Sequence, residues 1–286
     1  MQTLPPEHLD GLAPYIGHES GPGDGPFRSL ALEGVSRLAE KLKVPASMAM
    51  RLCLDQDIWP LRFARNRGVM STSAQSALLD SRAAVIGCGG LGGHTVTLLA
   101  RAGVGALTVC DGDSFSESNL NRQLLCRENN LGRNKAEVAA EELTGIASHA
   151  AINVYPLNIT AENAREILSG ADIILDCLDS MRDRLLLDSC ARDLGVPLVH
   201  ATIAGDEGFV SLIRPGENTL RLLYGSAAES GVGGAESVVG VPTVTPAATA
   251  ALQAALSIHC LSGKKLPGGR LYHLDLLAPL LETLEL

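Results

Sequence analysis

The stretch Ala83-Ala84-Val85-Ile86-Gly87-Cys88-Gly89-Gly90-Leu91-Gly92 decides the fold. Four apolar residues run straight into G-x-G-x-x-G, and a helical pattern starts at Leu91. The first glycine permits a tight turn, the second lets a phosphate approach the backbone, and the third lets helix and strand pack closely. A helix opening at that point adds amide donors and a partial positive charge. Asp111 ends the next apolar run, 24 positions after Gly87. It is placed to accept hydrogen bonds from ribose hydroxyls.

Working outward, short β-prone runs alternate with helical runs. Strands are expected at 83–86, 106–110, 152–155, 172–177 and 197–201, with helices at 133–143, 161–168 and 182–194 between them. Strand–helix alternation with continuous apolar strands predicts an α/β, Rossmann-like, mostly parallel sheet with helices on both faces. Residues 208–214 alternate weakly and are expected to be antiparallel. The glycine-rich run from Gly225 to Gly240 reads as a mobile loop, 244–261 as a buried core helix, and 271–275 as the last strand. Upstream, 18–25 reads as a loop. Helical spacing over 30–42 and a short second helix from Ala46 toward Asp55 predict a small N-terminal helical appendage.

Composition narrows the function classes. Of 286 residues, 46% are hydrophobic and 19% charged, the balance of a protein with a full core. Only 4 Phe, 4 Tyr and 1 Trp are present, too few for a stacking platform for single strands. The net charge of −9 argues against nucleic acid as a partner. The seven cysteines form no C-x-x-C pair, and their scatter suits a reducing compartment. With Pro5, Pro6, Glu7 and Asp10 near the start, no signal peptide is read, and a cytoplasmic location with no membrane association is expected.

The glycines and Asp111 alone would also suit NAD. The polar run Asp111-Gly112-Asp113-Ser114-Phe115-Ser116-Glu117-Ser118-Asn119-Leu120-Asn121-Arg122-Gln123 argues for more. Arg122 supplies a rigid fork of donors suited to phosphate oxygens. Lys135, opening a helix after Gly132-Arg133-Asn134, is a second, compact cation. Asp179 follows the 172–177 strand at the carboxyl edge of the sheet, where a carboxylate beside cations and a phosphate cradle can hold Mg²⁺. Singly, Arg122 and Lys135 read as surface charges and Asp179 as a helix cap. Together they point to ATP with Mg²⁺.

These residues carry a resemblance. The runs Arg62-Phe63-Ala64-Arg65-Asn66, Ser118-Asn119-Leu120-Asn121-Arg122-Gln123, Gly132-Arg133-Asn134-Lys135 and Asp176-Cys177-Leu178-Asp179-Ser180 are similar to those of the ubiquitin-activating-enzyme-like adenylyltransferases, the MoeB/ThiF/HesA group. The resemblance spans about 62–261 and implies an ATP-binding adenylation domain over 61–286 behind an extension at 1–60. It implies activation of the C-terminal glycine carboxylate of a small ubiquitin-like sulfur-carrier protein ending in Gly-Gly, as an acyl-adenylate. It also implies roles. Gly87, Gly89, Gly90 and Gly92 would cradle the nucleotide, with Ser118, Gln123 and Ser180 beside it, and Asp111 would hold the ribose. Asn119, Arg122 and Lys135 would bind phosphates, Asp179 would hold Mg²⁺, and Arg65 would reach the partner's site in a homodimer.

The departures are specific. Leu220 and Leu223 stand where relatives carry the first C-x-x-C pair of a structural zinc site, so no zinc is expected. No cysteine lies between Cys190 and Cys260, where many relatives carry the thiol that takes the acyl group. The chain is therefore expected to stop at the adenylate. Alternatives stay open: the same chemistry on a peptide or a modified tRNA base, or a nucleotide-binding scaffold without catalysis.

Overall fold

A computed structural model describes residues 12–23, 25–225 and 239–285 of the chain. Its centre is an eight-stranded sheet. The strands are β4 (Arg82–Ile86), β5 (Ala106–Cys110), β6 (Ala151–Tyr155), β7 (Ile173–Asp176), β8 (Leu198–Ala204), β9 (Glu207–Ile213), β10 (Arg270–Asp275) and β11 (Leu280–Glu285). Their order is β11-β10-β9-β8-β7-β4-β5-β6. The five strands from β8 to β6 are parallel, and β9, β10 and β11 extend the sheet antiparallel. The chain leaves β4 toward β5 and β6, then returns to the other side of β4 to form β7. That reversal opens a crevice at the carboxyl ends of β4 and β7, the place where ligands bind in such sheets.

Both faces are covered, as continuous apolar strands require. One face buries Val85, Val109 and Leu175 against the helices Gly90–Ala102, Lys135–Ile146 and Val244–Leu261. The other buries Ala84, Ile86 and Ile174 against Ala164–Ile167, Met181–Leu194 and Thr219–Tyr224. Helix Val244–Leu261 is long and apolar enough to cross a membrane. Its buried face is small and polar, including Thr249, Gln253 and Ser257, and lies on the sheet and on helix Gly90–Ala102.

Two expectations are corrected. The strand at 271–275 is not the last, because Leu280–Glu285 adds an edge strand in register with it. Its sequence, Leu-Leu-Glu-Thr-Leu-Glu, is rich in helix formers, and backbone pairing to β10 overrides that preference. The appendage is not only helical. Besides α1 (Leu32–Leu42) and α2 (Ala46–Leu54), it holds a three-stranded sheet of β1 (Ile16–Glu19), β2 (Phe27–Leu30) and β3 (Ile58–Pro60). This unit has its own apolar cluster, which takes in Phe63 and Leu79 from beyond residue 60. The expected glycine-rich loop lies largely outside the described residues.

The Arg62–Asn66 run sits in a short 3-10 helix, Leu61–Asn66, that docks onto the end of helix Lys135–Ile146 and the loop after it. Phe63 packs edge-on to His149 at 5.8 Å, and an Arg62 nitrogen donates to the Ile146 carbonyl at 2.6 Å. His149 is 3% exposed, and neither ring nitrogen has a hydrogen-bond partner among the described residues. Burial, helped by the Arg62 charge, pushes its pKa down to about 4. The unfolded chain then binds a proton that the folded chain refuses, so stability present above about pH 6.5 is lost as pH falls toward 4. From pH 7 to pH 5 the loss from this one group is about 2 kcal/mol. Urea unfolding at the two pH values should show it, and His149→Leu should flatten that acid limb.

Candidate nucleotide site

The carboxyl ends of β4, β5 and β7 open into a cleft of about 830 Å³. Its floor is the glycine turn. Gly87 has φ of +93°, and a Cβ there would sit 2.5 Å from the Cys177 carbonyl oxygen at the end of β7. A Cβ on Gly92 would come within 1.8 Å of the Gly87 carbonyl oxygen. Both positions therefore require glycine, the first for backbone conformation and both for close approach. The helix that starts at Gly90 presents its free amides to the cleft.

Asp111 holds this floor in place. One carboxylate oxygen accepts the Cys88 amide at 2.6 Å and the other accepts the Asp113 amide at 2.8 Å. Each oxygen accepts one backbone bond, and Asp111 lines the cleft, which leaves acceptor capacity for hydroxyls. Burial raises its pKa, against the opposing pull of the two amides and of Lys135. Desolvation, together with the Asp113 charge, thus outweighs three favourable contacts, and an under-solvated carboxylate is a strong acceptor for a ribose diol.

The wall beyond is built by Gly132–Lys135. Asn134 caps the helix Lys135–Ile146 by accepting from the Ala136 and Glu137 amides, and its own amide donates to the Asp111 and Asp113 carbonyls. This ties the 111–116 loop to the start of the helix and fixes Lys135. The lysine side chain is 10% exposed and pairs at 3.0 Å with Asp113, which is 65% exposed. An ion pair with so exposed a carboxylate contributes about 0–1 kcal/mol, so Lys135 can exchange it for a phosphate at little cost. Arg122 lines the cleft and donates to the Ser118 carbonyl at 2.8 Å. Gln123 lies over Gly89, and its carboxamide oxygen is buried without a hydrogen-bond partner among the described residues. An orphaned acceptor beside a glycine floor fits a bound ligand carrying donors.

The structure brings Gly87, Gly89, Gly90, Asp111, Arg122, Gln123, Lys135 and Asp179 together around the cleft. Gly92, Ser118, Asn119, Ser180 and Arg65 do not line it, and four of these have visible structural work. Gly92 lets the helix close onto the turn. Asn119 accepts the Ser116 amide at 3.0 Å, and its carbonyl accepts from the Arg122 and Gln123 amides, so it shapes the turn that presents those two side chains. Ser118 bonds the Ser116 hydroxyl, and Ser180 caps helix Met181–Leu194 by accepting the Asp183 amide. Arg65 is exposed, away from the cleft.

The sequence reading missed Arg182 and Arg184 in the first turn of that helix, and Asn158 and Thr160 in the loop after β6, all lining the cleft. The available signal was position: each follows a parallel strand at its carboxyl end. Cys177 and Cys110 also line the cleft. Burial raises both thiols, Cys110 to about 12, so neither is a ready thiolate. Leu220 is buried in the apolar cluster under β7 and β8.

Comparison with known proteins agrees with this fold. The ThiF family model matches residues 63–286. The SAMP-activating enzyme E1 of Haloferax volcanii is 34% identical over 201 residues, covering 70% of this chain and 74% of that protein. The adenylyltransferase and sulfurtransferase UBA4 of Saccharomyces cerevisiae is 36% identical over 155 residues, and there the match spans 53% of this chain and 35% of the yeast protein. Among solved structures, Escherichia coli MccB with ATP superposes with a TM-score of 0.68 at 20% identity, covering 88% of this chain and 82% of that one.

If Asp111 holds both the floor and the ribose, Asp111→Asn should disturb both. One of its two amide partners would face an N–H group, at a stability cost of about 1–3 kcal/mol. ATP affinity measured by calorimetry should fall about tenfold or more, near 1.4 kcal/mol.

Proposed function

The chain belongs to the ThiF family and is an adenylyltransferase of that family, and we propose that it uses ATP to activate the C-terminal carboxylate of a small ubiquitin-like sulfur-carrier protein. The observation that carries this reading is the pairing of a glycine floor and ribose acceptor with two cations, Arg122 and Lys135, on one wall of one cleft. The glycine floor and ribose acceptor alone would also serve a dinucleotide; the two added cations match the extra charge of a triphosphate.

The chemistry is an in-line displacement. A carboxylate oxygen of the carrier forms a bond to the α-phosphorus of ATP. The bond from that phosphorus to the bridging oxygen breaks, and pyrophosphate leaves with the electron pair. No protein nucleophile is needed, and positioning with charge neutralisation does the work. The glycine turn and the amides at the start of helix Gly90–Ala102 hold phosphate oxygens. Lys135 and Arg122 spread the charge that develops on the leaving pyrophosphate, and Asp111 orients the ribose. Asp179 is an exposed oxygen donor on the same cleft as these cations, so its chemistry fits Mg²⁺, which binds through few carboxylates plus phosphates. Bound there, the ion would neutralise phosphate charge.

The carrier would leave as the adenylate, with sulfur supplied by another protein. The raised thiols of Cys88, Cys110 and Cys177 support this, as does the lack of any cysteine between Cys190 and Cys260. Leu220 in its apolar setting supports a site without structural zinc. We also read the protein as a cytoplasmic homodimer.

The deciding experiment is exchange of labelled pyrophosphate into ATP, run with carrier proteins ending in Gly-Gly. Exchange that requires such a carrier is the expected outcome, and none with any carrier sinks the reading. Asp179→Asn should slow exchange by about two decades, on the order of 3 kcal/mol. Calorimetry should show the same variant losing the Mg²⁺ dependence of ATP binding.

The homodimer makes a separate claim, that Arg65 completes the partner's site. Mixed Arg65→Ala and Asp179→Asn chains should recover activity at one site of each heterodimer. Confirmed subunit exchange without recovery would mean that each site is built within one chain.

A further inference from the structure

The adenylation reading leaves one buried polar chain unused. Asp176, the last residue of β7, and His200 on β8 face each other in register, and both are fully buried. An Asp176 carboxylate oxygen meets His200 Nδ1 at 2.7 Å, and His200 Nε2 meets the Tyr224 hydroxyl at 2.7 Å. A carboxylate only accepts, so Nδ1 carries the proton and donates to Asp176, and Nε2 shares a hydrogen bond with the tyrosine hydroxyl. Tyr224 closes the chain as the last residue of helix Thr219–Tyr224, edge-on to the imidazole at 5.6 Å.

The other Asp176 carboxylate oxygen accepts the Leu178 amide at 3.0 Å. The Leu178 carbonyl accepts two bonds from Arg184, from Nε at 2.9 Å and from the terminal nitrogen at 2.6 Å. Both backbone groups of the residue before Asp179 are therefore held by side chains. The Cys177 side of the same turn is held too. Gln253 donates to the Asp176 carbonyl at 3.0 Å and accepts from the Cys177 thiol at 3.3 Å. Asp179 itself is exposed to the cleft.

Resting on the nucleotide-site reading, we propose that Asp176, His200 and Tyr224 form a positioning relay for Asp179, in which His200 orients the Asp176 carboxylate that fixes the Cys177–Leu178 peptide, one residue before Asp179. Buried ionic and polar groups bring little net stability when apolar side chains of similar volume could fill the space. What they supply is a defined geometry, and here the geometry ends one residue short of a cleft carboxylate. Partners that orient a ligating or reacting group typically change its performance by about 10- to 100-fold when removed.

The test compares His200→Leu, which fills the space without donors, with His200→Asn, whose amide nitrogen takes the place of Nδ1 and still reaches Asp176. In pyrophosphate exchange, His200→Leu should lower kcat about tenfold or more while the KM for ATP moves less than about threefold. His200→Asn should recover most of that loss. Hydrogen exchange at the Leu178 amide should quicken in His200→Leu and stay near wild type in His200→Asn. A folded His200→Leu with wild-type turnover and unchanged protection of the Leu178 amide overturns the proposal, as does a His200→Asn as slow as His200→Leu. Should His200→Leu not fold, Tyr224→Phe carries the same comparison at the outer end of the relay. It should slow kcat about threefold with quickened amide exchange, and wild-type behaviour in both readouts overturns the proposal. If the wild-type protein performs no exchange at all, the adenylation reading fails on its own, and the amide-exchange comparison still tests the relay.

Discussion

The bond from the Cys88 amide to the Asp111 carboxylate, 2.6 Å long, is the contact on which the site depends. It joins the turn after β4 to the residue after β5, and its partner bond to the Asp113 amide carries the same carboxylate into the next loop. Through Asn134, that loop is tied to the helix that presents Lys135. One half-buried carboxylate thus links phosphate floor and cationic wall. Burial costs it solvation, visible as a raised pKa, and the bound amides offset only part of that cost. The residual acceptor capacity is what a ribose would use.

A second constraint acts from the other side of the crevice. Gly87 packs against the Cys177 carbonyl, so the glycine turn and the end of β7 are in direct contact. Around that contact the chain places polar groups where an ordinary core would place leucines: Gln253, Thr95, Asp176 and His200 are all fully buried. Gln253 alone bonds the Asp176 and Val199 carbonyls, the Thr95 hydroxyl and the Cys177 thiol. Such groups are tolerated because nearly every donor and acceptor is satisfied. They hold the strand ends more sharply than apolar packing could, because hydrogen bonds are directional and dispersion contacts are not.

Much of this was legible in the chain itself. Periodicity located the parallel strands within three residues at every end, since strands buried on both faces must be apolar throughout. The fingerprint 87–92, Asp111, Arg122, Lys135 and Asp179 could be assigned to one site because each follows a strand of a sheet whose strand order obeys a known rule. The edge strand Leu280–Glu285 and the three strands of the N-terminal unit were not legible. Edge strands need no fixed alternation, and β3 is only three residues long, so pattern carries little signal there. Asn119 was read as a phosphate ligand; in the structure its carboxamide oxygen accepts the Ser116 amide in a cap, and the residue does not line the cleft. Asparagine serves both purposes equally well, and only its neighbours in space decide between them.

By itself, then, the sequence determined the class of fold, the nucleotide turn and the residue types that chemistry on a phosphate requires. Those follow from local rules: which residues tolerate a tight turn, which carry charge, which repeat at the period of a helix or strand. The tertiary structure decided which candidates share the cleft, that the Asp111 carboxylate is already half engaged by backbone amides, and that Asp176, His200 and Tyr224 meet. Asp176 and His200 lie 24 residues apart, as do His200 and Tyr224. No local rule links residues at that separation. Strand register brings the first pair together and helix packing the second, and both are set by burial of the whole sheet.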